Sequence, residues 1–129
     1  MPSINEVIER VERIKPVVNI EDIDKARWLL QLEVRIWREI ILKSEPDPNG
    51  EAATPPRTWP ADGDKPLVVE PPYDNLYDLY LIAMLEFALR EYGNYNNTMQ
   101  AFNDALDIFA AWHRNTHTPI SKDFQHIFP

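Results

Sequence analysis

The chain has 129 residues, a net charge of −8, an apolar fraction of 44% and no cysteine. This length predicts one domain spanning residues 1–129, and the lack of cysteine excludes disulfides and thiolate metal sites. No apolar run approaches the roughly 18 residues of a membrane span, and the acidic N-terminus does not resemble a signal peptide. An acidic chain without a basic stripe is unsuited to specific nucleic-acid binding. We expect a soluble, cytoplasmic globular protein.

Apolar residues at three- and four-residue spacing predict two helices in the first third of the chain. Ser3 and Glu6 match a capping box at the start of the first helix. That helix is expected to end near Lys15, because a proline follows. The second helix is predicted from its cap at Asn19 to about Lys43.

The second helix is more apolar than a surface helix needs to be, which places it either at the centre of a bundle or against another subunit. Trp28 lies off the main apolar stripe and favours the second alternative. The basic residues of this helix alternate with acids on a face that is either solvated or interfacial. They are Arg27, Arg35 and Arg38, with Glu33 and Glu39 between and after them.

Residues 44–72 hold eight of the twelve prolines and are predicted to form a long extended loop between helices 2 and 3. Residues 67–69 are apolar and could form a short edge strand or one arm of a β-hairpin. Two alternatives stay open for the loop: a disordered linker, or a segment that becomes ordered against a neighbouring subunit. Trp59 favours the second alternative, since a linker does not need an apolar side chain.

All five tyrosines lie in residues 71–97, which contain a strongly apolar helix predicted over residues 73–92. Gly93 is expected to supply a left-handed helix cap, and residues 94–97 are expected to form a tight turn. A last helix is predicted over residues 97–115, antiparallel to the preceding one in an αα-hairpin. Residues 120–129 are expected to form a C-terminal arm. The fold class is therefore all-α, a small helical bundle with a C-terminal hairpin.

No catalytic or metal-binding motif stands out. His113 and His117 are four residues apart, but no carboxylate at matching spacing completes a metal site. One group of acids faintly resembles the Mg²⁺ motifs of all-α nucleotide pyrophosphatases, although a solvated helix face explains it better. This group consists of Glu6, Glu9, Glu12, Glu21 and Asp24. We expect no enzymatic activity, no cofactor and no bound metal.

Part of the chain, from Tyr73 to Pro119, resembles a family of small virion proteins encoded among the structural genes of tailed phages and prophages of Gram-positive bacteria. The resemblance rests on the tyrosines that begin the third helix, on the YNN sequence and on the RNTH-x-P ending. These residues are Tyr73, Tyr77, Tyr80, Tyr95, Asn96, Asn97, Phe102, Asn103, Trp112, Arg114, Asn115, Thr116, His117 and Pro119.

The resemblance implies a head–tail connector or neck subunit that forms a ring, often twelve-fold, between the portal and the tail. The implied partners are further copies of the chain, the portal protein, the next neck or tail protein, and genomic DNA that passes without specific binding. The implied location is the virion, and the host cytoplasm during assembly. Two alternatives remain: a helical protein-binding module or inhibitor of a host protein, and a Mg²⁺-dependent nucleotide pyrophosphatase.

The candidates for subunit contact are a tryptophan off the main stripe of the second helix, the apolar residues of the proline-rich loop, and tyrosines beside that loop or in the predicted turn. Tyrosine and tryptophan are common at interfaces. Replacing Tyr77 by Phe is expected to spare the fold and to weaken assembly. The candidate interface residues are Trp28, Trp59, Leu67, Val68, Val69, Tyr73, Tyr77 and Tyr95.

Overall fold

The computed structural model describes residues 2–44, 55 and 58–117, and within these ranges it confirms the all-α class. Four α-helices follow in chain order: α1 (Ile4–Ile14), α2 (Asp22–Glu39), α3 (Asn75–Ala88) and α4 (Tyr92–Thr116). A 3₁₀ turn at Ile41–Lys43 follows α2. The predicted C-terminal arm at 120–129 and most of the first half of the proline-rich loop lie outside the described residues.

The starts of the first two helices differ in how well the sequence predicted them. The hydroxyl of Ser3 accepts a hydrogen bond from the Glu6 amide at 3.2 Å, which confirms the serine half of the capping box. The second helix begins later than expected: its N-cap is Glu21, not Asn19. Regular α-helix stops at Glu39, and the chain tightens into the 3₁₀ turn before Ser44.

The turn between α3 and α4 differs from its prediction. The left-handed residue is Arg90, with φ of 62°, and Gly93 lies inside α4. The Arg90 amide donates to the Phe87 carbonyl at 3.1 Å, and the Glu91 amide donates to the Glu86 carbonyl at 2.8 Å. This hydrogen-bond pair is a Schellman motif, which reverses the chain within three residues. The predicted turn at 94–97 is therefore wrong, since those residues are helical.

The predicted αα-hairpin is confirmed as antiparallel by the order of ring contacts that α3, and Tyr73 just before it, make with α4. Tyr73 packs on Trp112 with ring centroids 5.0 Å apart. Tyr80 packs on Phe102 at 5.0 Å, and Phe87 packs on Tyr95 at 5.2 Å. As residue numbers rise along α3, they fall along α4. The third helix also packs on α1 and α2, so α3 is the central element of the described bundle.

The second half of the proline-rich loop lies over the N-terminus of α1. The Leu67 amide donates to the Pro2 carbonyl at 2.8 Å, and Ser3 and Pro66 form an isolated antiparallel bridge. No strand forms at 67–69 among the described residues, so that segment is not the arm of a hairpin there. Instead, Leu67 and Val69 join the core that the helices form.

Asn5 fixes this part of the loop through both its backbone and its side chain. Its amide donates to the Gly63 carbonyl at 3.0 Å. Its side chain donates to Asp64 at 2.8 Å and accepts from the Trp59 indole at 2.9 Å. A Cβ at position 63 would lie 2.7 Å from the Asn5 side-chain nitrogen. A larger residue at position 63 would therefore displace the Asn5 side chain from its hydrogen bonds.

Only two glycines lie in the described residues, and their different surroundings allow a matched test of the role of Gly63. Replacing Gly63 by Ala should destabilise the fold by roughly 1–3 kcal/mol, because the Asn5 side chain must move and lose hydrogen bonds. Replacing Gly93 by Ala should stabilise it by about 0.5–1 kcal/mol, because that glycine lies in α4 with no atom within 4 Å of an added Cβ. Urea unfolding of both variants measures the two changes. Equal effects of the two substitutions would contradict this account of Gly63.

Candidate interaction surfaces and a buried polar network

A polar network at the centre of the bundle joins α2, α3 and the 67–69 segment. The Glu33 carboxylate accepts a hydrogen bond from the Tyr77 hydroxyl at 2.6 Å and from the Val68 amide at 2.7 Å. The Tyr77 hydroxyl in turn accepts from the Val69 amide at 3.0 Å. Glu33 and Tyr77 are both completely buried. Every donor in the network faces an acceptor, as buried polar groups require.

Burial dominates the electrostatics of this network. Removal from water raises the pKa of Glu33 from 4.5 to about 7, although the bonds from Tyr77 and Val68 oppose the rise. Burial, together with the nearby Glu33 carboxylate, also raises the pKa of Tyr77 well above its usual value. The hydroxyl of Tyr77 therefore stays protonated and continues to donate to Glu33.

The importance of Glu33 was missed from the sequence, where it was assigned to a polar face. A signal was present, because Glu33 lies four residues after Leu29 and three before Ile36. Both of these residues are buried, so helical spacing alone places Glu33 among them. The sequence gives no indication of its partners, because Tyr77 is 44 residues further along the chain.

Three candidate interface residues lie inside the chain's own core instead of at its surface. Tyr77 and Val69 are 0% exposed and Leu67 is 1% exposed. The expectation that Tyr77 contacts a partner, and that its hydroxyl is dispensable for folding, does not fit this position. Its hydroxyl bonds within the network, so the residue helps to hold the fold together.

The other five candidate residues are half-buried, and their role at an interface stays a prediction. Trp28 packs against the core from α2, and Trp59 is held by Asn5. The side chain of Val68 packs at the edge of the core. Tyr73 lies against Phe109 and Trp112, and Tyr95 lies against Phe87.

A cluster of exposed apolar residues lies where α3 turns into α4. We call it the hairpin-end patch, and it comprises Phe87, Leu89 and Tyr92, which are 50%, 38% and 52% exposed. The ring of Phe87 contacts the rings of Tyr92 at 5.7 Å and Tyr95 at 5.2 Å. Helical spacing places Phe87 on the same stripe as Leu76 and so predicts a buried side chain, but the side chain is half exposed. Exposed aromatic clusters of this kind are typical of protein-binding surfaces.

Ion pairs fix α1 against the hairpin that carries this patch. Arg10 bonds Asp78 at 2.9 Å and Asp74 at 3.4 Å, near the start of α3. Lys15 bonds Glu91 at 2.9 Å, in the turn before α4. The partly buried Arg10 pairs hold both carboxylates against α1, so α3 is attached at both of its ends.

The two histidines in the described residues, His113 and His117, stack at the end of α4. The rings of His113 and His117 lie parallel with centroids 4.0 Å apart, and the Ser44 hydroxyl lies 3.4 Å from Nδ1 of His113. Burial, and to a lesser extent His117, lowers the pKa of His113 to about 4. The ring of His113 is therefore neutral at pH 7.

Neither proposed metal chemistry finds a complete ligand set in the described residues. No group of three or more His, Cys, Asp or Glu side chains comes together there. Of the acids compared with pyrophosphatase motifs, Glu9 pairs with Arg13 and Asp24 pairs with Arg27. Glu6, Glu12 and Glu21 are exposed, as expected for solvated helix faces.

Within the described ranges, no helix is long and apolar enough to cross a membrane. The fold and its surfaces define a small all-α bundle with one buried polar network and an exposed aromatic patch. No protein family, curated protein or solved structure matches the chain.

Replacing Tyr77 by Phe should destabilise the fold by roughly 1–3 kcal/mol, because the buried Glu33 carboxylate and the Val69 amide each lose a partner. Tyr92→Phe is the matched control, since that tyrosine is half-exposed and belongs to no buried network. Its free energy of unfolding should change by less than about 0.5 kcal/mol. Chemical denaturation at pH 7 makes the comparison, and equal values for the two variants would refute a structural role for the Tyr77 hydroxyl.

The raised pKa of Glu33 predicts how stability depends on pH. The folded state binds the proton more tightly than the unfolded chain, so the contribution of Glu33 is fully present below pH 4.5 and is lost as pH rises to about 7. The loss amounts to roughly 3 kcal/mol at 1.36 kcal/mol per pKa unit. The lowered pKa of His113 acts in the opposite direction, since it reduces stability as pH falls from 6.5 to about 4.

Glu33→Gln separates these two effects. The difference in unfolding free energy between wild type and variant should change between pH 4.5 and 7, because glutamine does not titrate. The altered hydrogen bonds should add a further difference in unfolding free energy that does not depend on pH. Denaturation series at several pH values measure the difference, and a difference that does not vary with pH would show that Glu33 has an ordinary pKa.

Proposed function

We propose that this chain is a structural virion protein: a subunit of the head–tail connector of a tailed phage that forms a ring, docks on the portal and surrounds the DNA channel. Two observations support the proposal. Residues 73–119 resemble the family of small phage virion proteins. The same stretch contains the hairpin-end patch, where large apolar side chains remain exposed after the core has formed.

The hairpin-end patch is the observation that carries the proposal. All four α-helices and the 67–69 segment contribute buried residues to the core. Phe87, Leu89 and Tyr92 lie outside it, although each could add to the hydrophobic stabilisation of a core. In an assembly, a partner's surface would cover these side chains and remove them from water, which would stabilise the contact.

The charge distribution also suits a protein beside DNA. The net charge of −8 comes from residues 44–129, since residues 1–43 contain eight acids and eight bases. A negatively charged surface repels phosphate, so DNA passing through an acidic ring would meet no attractive site. This property agrees with the implied role, in which the genome moves through the connector.

The second candidate function is a helical protein-binding module, such as an inhibitor of a host protein. The hairpin-end patch favours it as well, because a compact aromatic cluster is a suitable anchor for a single partner. The two functions differ in where the protein is found. A connector is part of the particle in many copies, whereas an inhibitor is absent from it.

Mass spectrometry of purified virions tests the proposal directly: a connector subunit should be present in stoichiometric amounts with the portal. Light scattering of the purified chain, with and without the portal ring, provides a second measurement. A ring or a portal-bound assembly is expected. Absence from virions, together with a monomer in both scattering experiments, would eliminate the connector function.

Replacing Phe87 by Ser should reduce incorporation into particles by about tenfold or more, the effect of losing about 1.4 kcal/mol of binding energy. Leu89→Ser, in the same patch, should also reduce it. Val18→Ser is the control, because Val18 is 97% exposed and lies outside the patch. Quantitative mass spectrometry of particles measures incorporation, and thermal unfolding confirms that the variants are folded. Incorporation of Phe87→Ser and Leu89→Ser equal to that of the control would exclude the patch as a contact surface.

A further inference from the structure

Two basic side chains are exposed near the end of α2, and an exposed leucine lies in the turn after it. Arg35 and Arg38 are three residues apart within α2, and Leu42, which is 46% exposed, lies in the 3₁₀ turn that follows. Residues three and four apart lie on the same side of a helix. Glu39 bonds Arg35 at 3.3 Å, but both side chains are at least half exposed, and such pairs are weak. We call this set the basic face.

The outer face of α4 also carries two charged side chains and one exposed aliphatic side chain, but its charges are negative. Asp104 and Asp107 are exposed and three residues apart, and Ile108 beside them is 60% exposed. Residues 92–113 contain no lysine or arginine, so these acids have no basic neighbour along the helix. We call this set the acidic face.

We propose that a second copy of this chain is the partner of both surfaces, with the basic face of one copy docked on the acidic face of the next. Two like charges with the same three-residue spacing occur on each helix, so Arg35 and Arg38 can pair with Asp104 and Asp107 across the contact. Leu42 and Ile108 provide an aliphatic contact beside the charges. The closure of copies into a ring rests on the proposed function, but the pairing of the two faces can be tested with the purified chain alone.

Such a contact joins two different surfaces, so it is heterologous and propagates from copy to copy. Within one chain the two faces belong to different helices. Both α2 and α4 pack on α3, and they make at most slight contact with each other. Each copy therefore offers one face to each of two neighbours, which is the arrangement that closes into a ring when the rotation permits.

Carbodiimide crosslinking tests the pairing while preserving every charge. Arg35→Lys and Arg38→Lys in one chain place amines on the basic face, and carbodiimide joins an amine only to a carboxylate in direct contact. Mixing ¹⁵N-labelled and unlabelled copies at high concentration distinguishes links between copies from links within one. We expect mixed-isotope peptides that join position 35 or 38 to Asp104 or Asp107. Their absence, while other links between copies form, or the absence of any link between copies, would overturn the proposal.

Charge reversal provides an independent test. Arg35→Glu with Arg38→Glu gives a chain with two acidic faces, and Asp104→Lys with Asp107→Lys gives a chain with two basic faces. Each alone should lose at least tenfold in association by sedimentation velocity or mixed-isotope crosslinking with a bifunctional reagent. An equimolar mixture, or one chain with all four changes, should recover it. Association that is unaffected by the single-face variants, or not recovered by the mixture, would overturn the pairing.

The test of the paired faces and the test of the connector function can give different results. Pairing of the two faces in a chain that is absent from virions would uphold the interface and reject the connector. A chain that is present in virions but shows no coupling between the two faces would uphold the connector and reject this interface.

Discussion

The hydrogen bond between Tyr77 and Glu33 is the interaction on which the rest of the fold depends. A buried carboxylate is costly unless donors surround it, and here one donor comes from α3 and another from the backbone of Val68. The network also gives acceptors to the amides of Val68 and Val69, which could not otherwise enter an apolar interior. One glutamate thus orients α2, α3 and the end of the proline-rich loop together. Since α3 carries the aromatic contacts to α4, the position of the whole hairpin follows from it.

This arrangement determines which surfaces remain for partners. The apolar part of the loop is used inside the chain, where Leu67 and Val69 fill the core between the helices. The loop therefore cannot clasp a neighbour with those residues while this fold is intact. Among the described residues, exposed apolar groups remain at the hairpin end and on α2 and α4, and Ile14 and Val18 are exposed at and after the end of α1. Contacts between subunits in the proposed assembly are thus made by helices, whose rigid geometry fixes the angle between neighbours.

Helical periodicity predicted the four helices and much of the core, because Leu76, Leu81 and Leu85 are buried as their spacing required. It could not predict the network, since periodicity identifies the side of a helix but not a partner far along the chain. The turn after α3 was mispredicted for a different reason. Glycine is preferred at a left-handed position, yet the Schellman hydrogen bonds place Arg90 there and leave Gly93 in a helix. Tyr77 was assigned to an interface because sequence shows a hydroxyl without showing which acceptor it meets.

Net charge and local charge have opposite effects on association. At −8, copies of this chain repel one another, so contact in random orientations is unfavourable. A contact that brings basic residues of one copy to acidic residues of the next reduces that repulsion, so in the proposed pairing the charges favour one relative orientation of the two copies. In the proposed assembly, the same balance would keep association weak between free copies. A partner that holds several copies side by side raises their effective concentration and shifts the balance toward assembly. The proposed subunit, which is acidic and has one complementary pair of faces, would therefore remain dispersed until a ring-shaped partner brings the copies together.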